Sequence, residues 1–190
     1  MTDELKKYLN KIHKIPDDLL EDFVNAWHHK AGERKKIITH KDSVERYLYF
    51  TTKGIQKAYY IKDDKEFIVA FTYPFAFTCI PESFLTQRPS KYSFECLTES
   101  EFLRISYTAF IGFVDRNHAF ETLLRKTLIG TLGGVVTRYH RILTLSIEER
   151  FKDFMRNSPQ LINQIPHKEI ANYLKMDPTN FSKLLNTVKI

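Results

Sequence analysis

The sequence predicts an α+β protein: short helices, a block of short strands, a long helix and a small helical tail. Residues 33–110 are rich in Tyr, Phe, Ile and Thr, in short runs punctuated by turns. From Tyr107 to about Thr144 apolar residues recur at three- and four-residue steps, the period of a helix. Beyond that, Ser146-Ile-Glu-Glu149 and Asp177-Pro178 are two further helix-start signals.

At the beginning of the chain, Leu5, Tyr8, Leu9 and Ile12 fall on one helical face. Pro16 opens a second helix over Asp17 to Trp27. Acids in its first turn suit the positive end of the helix dipole, and Leu19, Leu20, Phe23 and Val24 form a stripe. Strands are expected at Lys35–His40, Tyr47–Thr51, Ile55–Ile61, Lys65–Tyr73, Tyr92–Leu97 and Glu101–Ser106. Lys53-Gly54 and Asp63-Asp64 supply turns. Short strands at this density make a roll, a barrel or a sandwich.

In the long helix, Phe110, Phe113 and Val114 come first. Phe120, Leu123, Leu124, Thr127, Leu128, Thr131, Leu132, Val135, Val136, Tyr139, Ile142 and Leu143 then mark a seam. It runs over about 24 residues, about 36 Å at the helical rise. A seam of that length predicts a partner helix. The expected partner is a second copy of the chain, meeting it through residues 118–143, with Leu124, Leu128, Leu132 and Val135 at the interface. Gly130, Gly133 and Gly134 interrupt the seam, each costing about 1 kcal/mol of helix propensity. Close helix approach, a ligand against bare backbone or a local kink would each account for them.

Ser146 and Glu149 form a capping box that starts a helix running to about Asn157, where Ser158-Pro159 ends it. A hinge is expected at Leu145–Ser146. In the tail from His167 to Val188, Ile170, Leu174, Met176, Phe181 and Leu184 are apolar and Ala171 is small. This is the spacing of a helix-turn-helix, whose crossing helices need a small contact residue. Asp177 caps the second helix and Pro178 begins it. Thr179, Asn180, Ser182 and Lys183 then present polar groups suited to base edges and phosphates. Lys175 stands where the turn usually has glycine. An ordinary helical hairpin is the structural alternative.

Composition narrows the functional classes. The 190 residues carry a formal charge of +6. Residues 112–145 hold five bases and two acids, and residues 146–190 hold seven bases and five acids, so the excess lies in the C-terminal part, as a nucleic-acid partner prefers. No run approaches the roughly 20 apolar residues of a membrane span, and the first residues lack the apolar core of a signal peptide, so a cytoplasmic protein is expected. Cys79 and Cys96 have no metal-binding spacing and read as buried thiols; an iron–sulfur sensor would need about four clustered cysteines. A cupin-like metal enzyme, the enzymatic alternative, would need His-x-His with a further Glu and His on strands. His28, His29 and His40 do not make that set, so no metal, no other cofactor and no catalytic residue is expected.

Several phrases, taken in order, resemble one family: YFTTKG from Tyr49 to Gly54, KAYY from Lys57 to Tyr60, Arg88-Pro-Ser90, FECL from Phe94 to Leu97, Glu149-Arg-Phe151 and IANYL from Ile170 to Leu174. Together they are similar to CRP/FNR-type transcription regulators, in particular a Bacteroidetes-type branch. The resemblance implies a double-stranded β-helix, a jelly-roll-like β-roll with flanking helices, as sensor domain over 1–111. It further implies a dimerisation helix over 112–145 and a winged-helix-like DNA-binding unit over 146–190, its wing short or absent after Val188. Implied partners are double-stranded DNA, a second copy, RNA polymerase and a small-molecule effector. Members that bind cyclic AMP use a Gly-Glu pair and an Arg-Ser pair around the phosphate. Here those positions are Cys79-Ile80 and Ser90, so cyclic nucleotide binding is expected to be weak or absent. Glu82, Arg88, Ser90 and Lys91 are the nearest candidate ligand contacts, and Phe71, Tyr73, Phe75, Phe77 and Phe84 make their surroundings aromatic. A third alternative is a protein of this fold that dimerises or senses a ligand without binding DNA.

Overall fold

The computed structural model describes residues 1–188. In chain order they form α1 (Thr2–Ile12), α2 (Asp17–Asn25), β1 (His28–Gly32), β2 (Ile37–Thr39), β3 (Tyr47–Lys53), β4 (Gln56–Lys62), β5 (Lys65–Thr72), β6 (Ala76–Thr78), α3 (Pro81–Thr86), β7 (Ser93–Cys96), β8 (Ser100–Ser106), α4 (Tyr107–Arg116), α5 (His118–Thr144), α6 (Ile147–Asn157), a 3-10 turn (Pro159–Asn163), α7 (His167–Tyr173) and α8 (Pro178–Thr187). The expected mixture of helices and antiparallel strands is present. The expectation that the wing after Val188 is short or absent falls on Lys189 and Ile190, outside the described residues.

The strands make two four-stranded antiparallel sheets, ordered β1-β8-β3-β6 and β2-β7-β4-β5. The chain crosses between them at almost every step, which is how a roll is wound. Tyr49 and Phe102 from one sheet meet Phe94 and Cys96 from the other in a shared core. Two turns fix the strand register. Asp63 and Asp64 both have positive φ, 51° and 57°, the geometry of a type I′ hairpin between β4 and β5. Gly54 has φ 90°, and a Cβ there would lie 2.4 Å from the Glu99 carbonyl oxygen, so only glycine fits the β3–β4 turn.

A second core fastens the flanking helices to the outside of the roll. Phe23 of α2 sits at its centre, with ring centroids 5.8 Å from Trp27, 5.1 Å from Phe113 and 4.6 Å from Phe120. Leu48, Phe50, Leu103 and Ile105 supply the floor from β3 and β8. Fully burying a side chain of this size stabilises by roughly 1.5–3 kcal/mol. Ile55 and Leu97 of the roll join a separate core built by α6, α7 and α8.

Three sequence expectations need correction. The chain is not helical without interruption from Tyr107: Asn117 is extended (φ −139°, ψ 116°), and α5 starts after it. That break lets Phe113 and Phe120 close onto each other at 5.4 Å around Phe23. Strand β1 was not expected, because HHKAG shows no alternation and buries only Gly32. Neither β6 nor α3 was expected, since three and six residues are too short to carry a period.

Candidate functional site

Between the roll and α5 lies a cavity of about 530 Å³. Ala58, Val69, Ala70, Phe77, Ile80 and Phe84 form its roll side, and Leu123, Leu124, Leu128, Val135 and Ile142 its α5 side. The residues marked from the sequence distribute unevenly around it. Glu82 lines the cavity. Arg88 and Lys91 are exposed and are not among the lining residues. Ser90 is buried, its hydroxyl donating to the Tyr92 carbonyl at 2.8 Å and accepting from the Tyr92 amide at 2.9 Å. It serves the turn before β7. Cys79 lines the cavity where the cassette glutamate's neighbour would stand. Burial, with the Glu45 charge adding to it, pushes the Cys79 thiol well above its ordinary value, so it stays neutral.

Arg138 of α5 also lines the cavity, a residue the sequence reading passed over as one base on a long helix. Its Nη2 donates to the carbonyls of Tyr173 at 2.9 Å and Ile68 at 3.3 Å, and its guanidinium stacks 4.3 Å from the Tyr173 ring. One side chain thus ties α5 to β5 and α7. Its Nε is buried without a hydrogen-bond partner.

More contacts hold α7 against the roll. Lys57 of β4 is buried (3 % exposed) and pairs with Glu66, with Glu95 at 3.9 Å and with Glu169 of α7 at 3.2 Å. Burial alone would lower the Lys57 ammonium; the three carboxylates outweigh it and hold it above its ordinary value. Asn172 of α7 extends the β5 edge like a short strand: its Oδ1 accepts from the Ile68 amide at 2.8 Å, and its Nδ2 donates to the Glu66 carbonyl at 2.7 Å. Arg150 of α6 caps two helix ends, donating to the Leu145 carbonyl at 2.8 Å and the Leu174 carbonyl at 3.0 Å. Apart from Lys57–Glu66 and Arg150–Leu145, these partners lie from 24 to 112 residues apart, too far for local pattern to reveal them.

Helices α7 and α8 meet through the turn Leu174–Asp177. Lys175 takes the left-handed conformation, φ 57°. Its amide bonds to the Asn172 carbonyl and the Met176 amide to the Ala171 carbonyl, both at 3.0 Å, which is the Schellman closure glycine usually makes. The Asp177 side chain accepts from the Thr179 amide and caps α8. Ile170, Ala171, Leu174, Met176 and Phe181 are buried. Thr179, Asn180, Ser182 and Lys183 are exposed on the first turns of α8; the Ser182 hydroxyl donates to the Pro178 carbonyl at 3.0 Å.

The α5 seam divides. Leu124 packs against the roll's outer core and lines the cavity, so its side chain serves the chain's own fold. Leu132, Val135, Val136 and Leu143 are more than half exposed. Helix α5 runs unbroken from His118 to Thr144, so the glycines mark no break, and a Cβ at Gly130, Gly133 or Gly134 would meet nothing within 4 Å.

Residues 30–117, from β1 to the break at Asn117, match the model of the cyclic nucleotide-binding domain. The chain is similar in fold to FixK2 from Bradyrhizobium japonicum, with a TM-score of 0.76 and 14% identity over 84% of this chain and 83% of that one. It is also similar to a protein described as a transcriptional regulator of the CRP/FNR family from Eubacterium rectale (TM-score 0.70, 12% identity, 90% and 82% covered). CLP of Xanthomonas campestris, described as a c-di-GMP responsive global regulator, gives a TM-score of 0.66 at 14% identity, with 90% of each chain covered. The chain therefore shares its fold with these proteins, and part of it, residues 30–117, matches the cyclic nucleotide-binding domain. No curated protein matches the sequence.

Proposed function

We propose that this chain is a homodimeric DNA-binding transcription regulator that senses a small molecule in the cavity beside α5, and not an enzyme. The observation that carries the reading is the α7–α8 pair. It has the left-handed turn, the capped second helix and an exposed polar face at the start of that helix, the features by which a recognition helix enters the major groove. The exposed apolar face of α5 supports dimerisation through residues 118–143. The kind of protein with which the fold is shared supports DNA, and RNA polymerase beside it, as partners.

In this reading Asn180 reads adenine through its amide, and Lys183 and Thr179 contact phosphate. Selection from random DNA followed by gel-shift titration tests it. A preferred inverted repeat is expected, with half-sites one DNA turn (about 34 Å) apart. Asn180→Ala should cost about 1–3 kcal/mol on that site and little on random DNA. Lys183→Ala should weaken all sequences alike and reduce the salt slope by about one. If no sequence is preferred, the alternative of a dimeric sensor without DNA binding stands. The single base on the exposed start of α8, Lys183, is the observation that favours that alternative.

A further inference from the structure

The cavity's lining is chemically unlike a phosphate site. Glu82 and Arg138 are the charged residues on it, and Glu82 would repel a phosphate at the roll end. The candidate cations nearest the cassette, Arg88 and Lys91, do not line it. Cys79, held neutral, and Ile80 take the cassette's place. The remaining wall is mostly Leu, Val, Ile, Ala and Phe. At about 530 Å³ the cavity falls within the roughly 300–1,000 Å³ of small-molecule sites.

Arg138 adds a second, independent observation. No carboxylate lies within ion-pairing distance of it among the described residues. Its partners are two neutral carbonyls, and its Nε has none. Its field reaches Lys175, whose ammonium is lowered first by burial and then by the Arg138 charge. A half-buried, unneutralised cation on an apolar wall is costly, and an anion brought by a ligand would offset that cost.

We propose that the cavity takes a hydrocarbon-rich small molecule carrying one carboxylate, with the apolar body against Ala70, Phe77 and Leu128 and the carboxylate against Arg138, in place of a cyclic nucleotide. The proposal rests on the effector reading above and deepens it. Arg138 also holds the carbonyls of Ile68 in the roll and Tyr173 in α7. A carboxylate drawing on the guanidinium therefore competes with the tie between the sensor and the α7–α8 pair.

The test uses the full-length protein and an environment-sensitive fluorescent probe, dansylaminoundecanoic acid, displaced by decanoate, 1-decanol and cyclic AMP. Micromolar displacement by decanoate is expected, with decanol weaker and cyclic AMP at least a hundredfold weaker. Arg138→Gln should lower decanoate affinity tenfold or more while leaving decanol within about threefold. A merely structural role for Arg138 would move both together. Ala70→Trp, checked for native melting, should displace every ligand by filling the cavity. Probe binding unchanged in Ala70→Trp places the ligand elsewhere, for example on the exposed α5 face, and overturns the proposal. So does cyclic AMP competing at micromolar concentration, or an equal loss of decanoate and decanol in Arg138→Gln. Gel shifts with and without decanoate separate the two readings. Sequence-specific DNA binding without decanoate affinity sinks the ligand class alone. Cavity binding that leaves DNA affinity unchanged sinks the effector role and leaves the ligand class standing.

Discussion

Glu45 shows how a single buried residue sets pH behaviour. It is 1 % exposed, accepts from the Thr39 hydroxyl at 2.7 Å and sits beneath Ser83, whose hydroxyl accepts from the Glu45 amide at 2.9 Å. Burial raises its carboxyl above the ordinary value of 4.5, more than the hydrogen bonds from the Thr39 hydroxyl and the backbone amides of Tyr47, Ile80 and Arg46 lower it. The folded chain therefore keeps a proton that the unfolded chain has released. That contribution is complete below pH 4.5 and is lost as pH rises through the higher native value. Glu45→Gln should flatten the fall of the melting temperature as pH rises above 4.5. The slope will not vanish, because burial also raises Glu95. An unchanged slope in scanning fluorimetry refutes this account. Lys175 offers a second residue-scale prediction. A left-handed lysine costs roughly 1–2 kcal/mol. Lys175→Gly should therefore stabilise by about 0.5–1 kcal/mol in urea titration, after losing the contact of its ammonium with the Phe67 ring at 4.9 Å.

At the scale of the element, α5 carries the proposed assembly. Its periodicity was legible in the sequence, but not the side to which each seam residue belongs. Phe120 and Leu123 are buried in the chain's own core, whereas Leu132 and Val136 are exposed. Replacing Leu132 and Val136 by Glu should leave the chain folded, since neither supports its own core. It should convert the proposed dimer to monomers by placing charges against their symmetry mates. Light scattering reads the mass and circular dichroism the fold. A dimer that persists moves the interface off this face. The three glycines belong to the same face of the problem: within one chain nothing lies close to them, so nothing in the chain offsets their cost in helix propensity.

At the scale of the molecule, the α7–α8 pair is clasped to the roll. Asn172 covers the free edge of β5, and Lys57 is held among Glu66, Glu95 and Glu169. Asn172→Ala removes two hydrogen bonds worth about 0.5–1.5 kcal/mol each. It should speed hydrogen exchange at the Ile68 amide while leaving the roll's inner strands protected. Exchange at Ile68 as slow as in the parent would mean the clasp is not closed in solution. Lys57→Ala should be more damaging, about 3 kcal/mol or more, because it leaves carboxylates together without their cation. Thermal melting measures this.

The sequence by itself determined what depends on near neighbours. The capping box at Ser146, the Asp177-Pro178 helix start, the turns at Gly54 and Asp63-Asp64, the α5 seam and the helix-turn-helix spacing all rest on residues within a turn or two of one another. Helix and strand periods, caps and turn conformations are local physics. The tertiary structure alone decided what depends on distant partners. Strand β1 exists because β8, some seventy residues on, offers it an edge; α5 begins at His118 because Phe23 gathers Phe113 and Phe120 around itself. Arg138 becomes a cavity cation, and Lys57 a clasp to Glu169 across 112 residues, only when the fold brings their partners to them. No spacing along the chain encodes those meetings, because what selects them is burial of charge and apolar surface summed over the whole molecule.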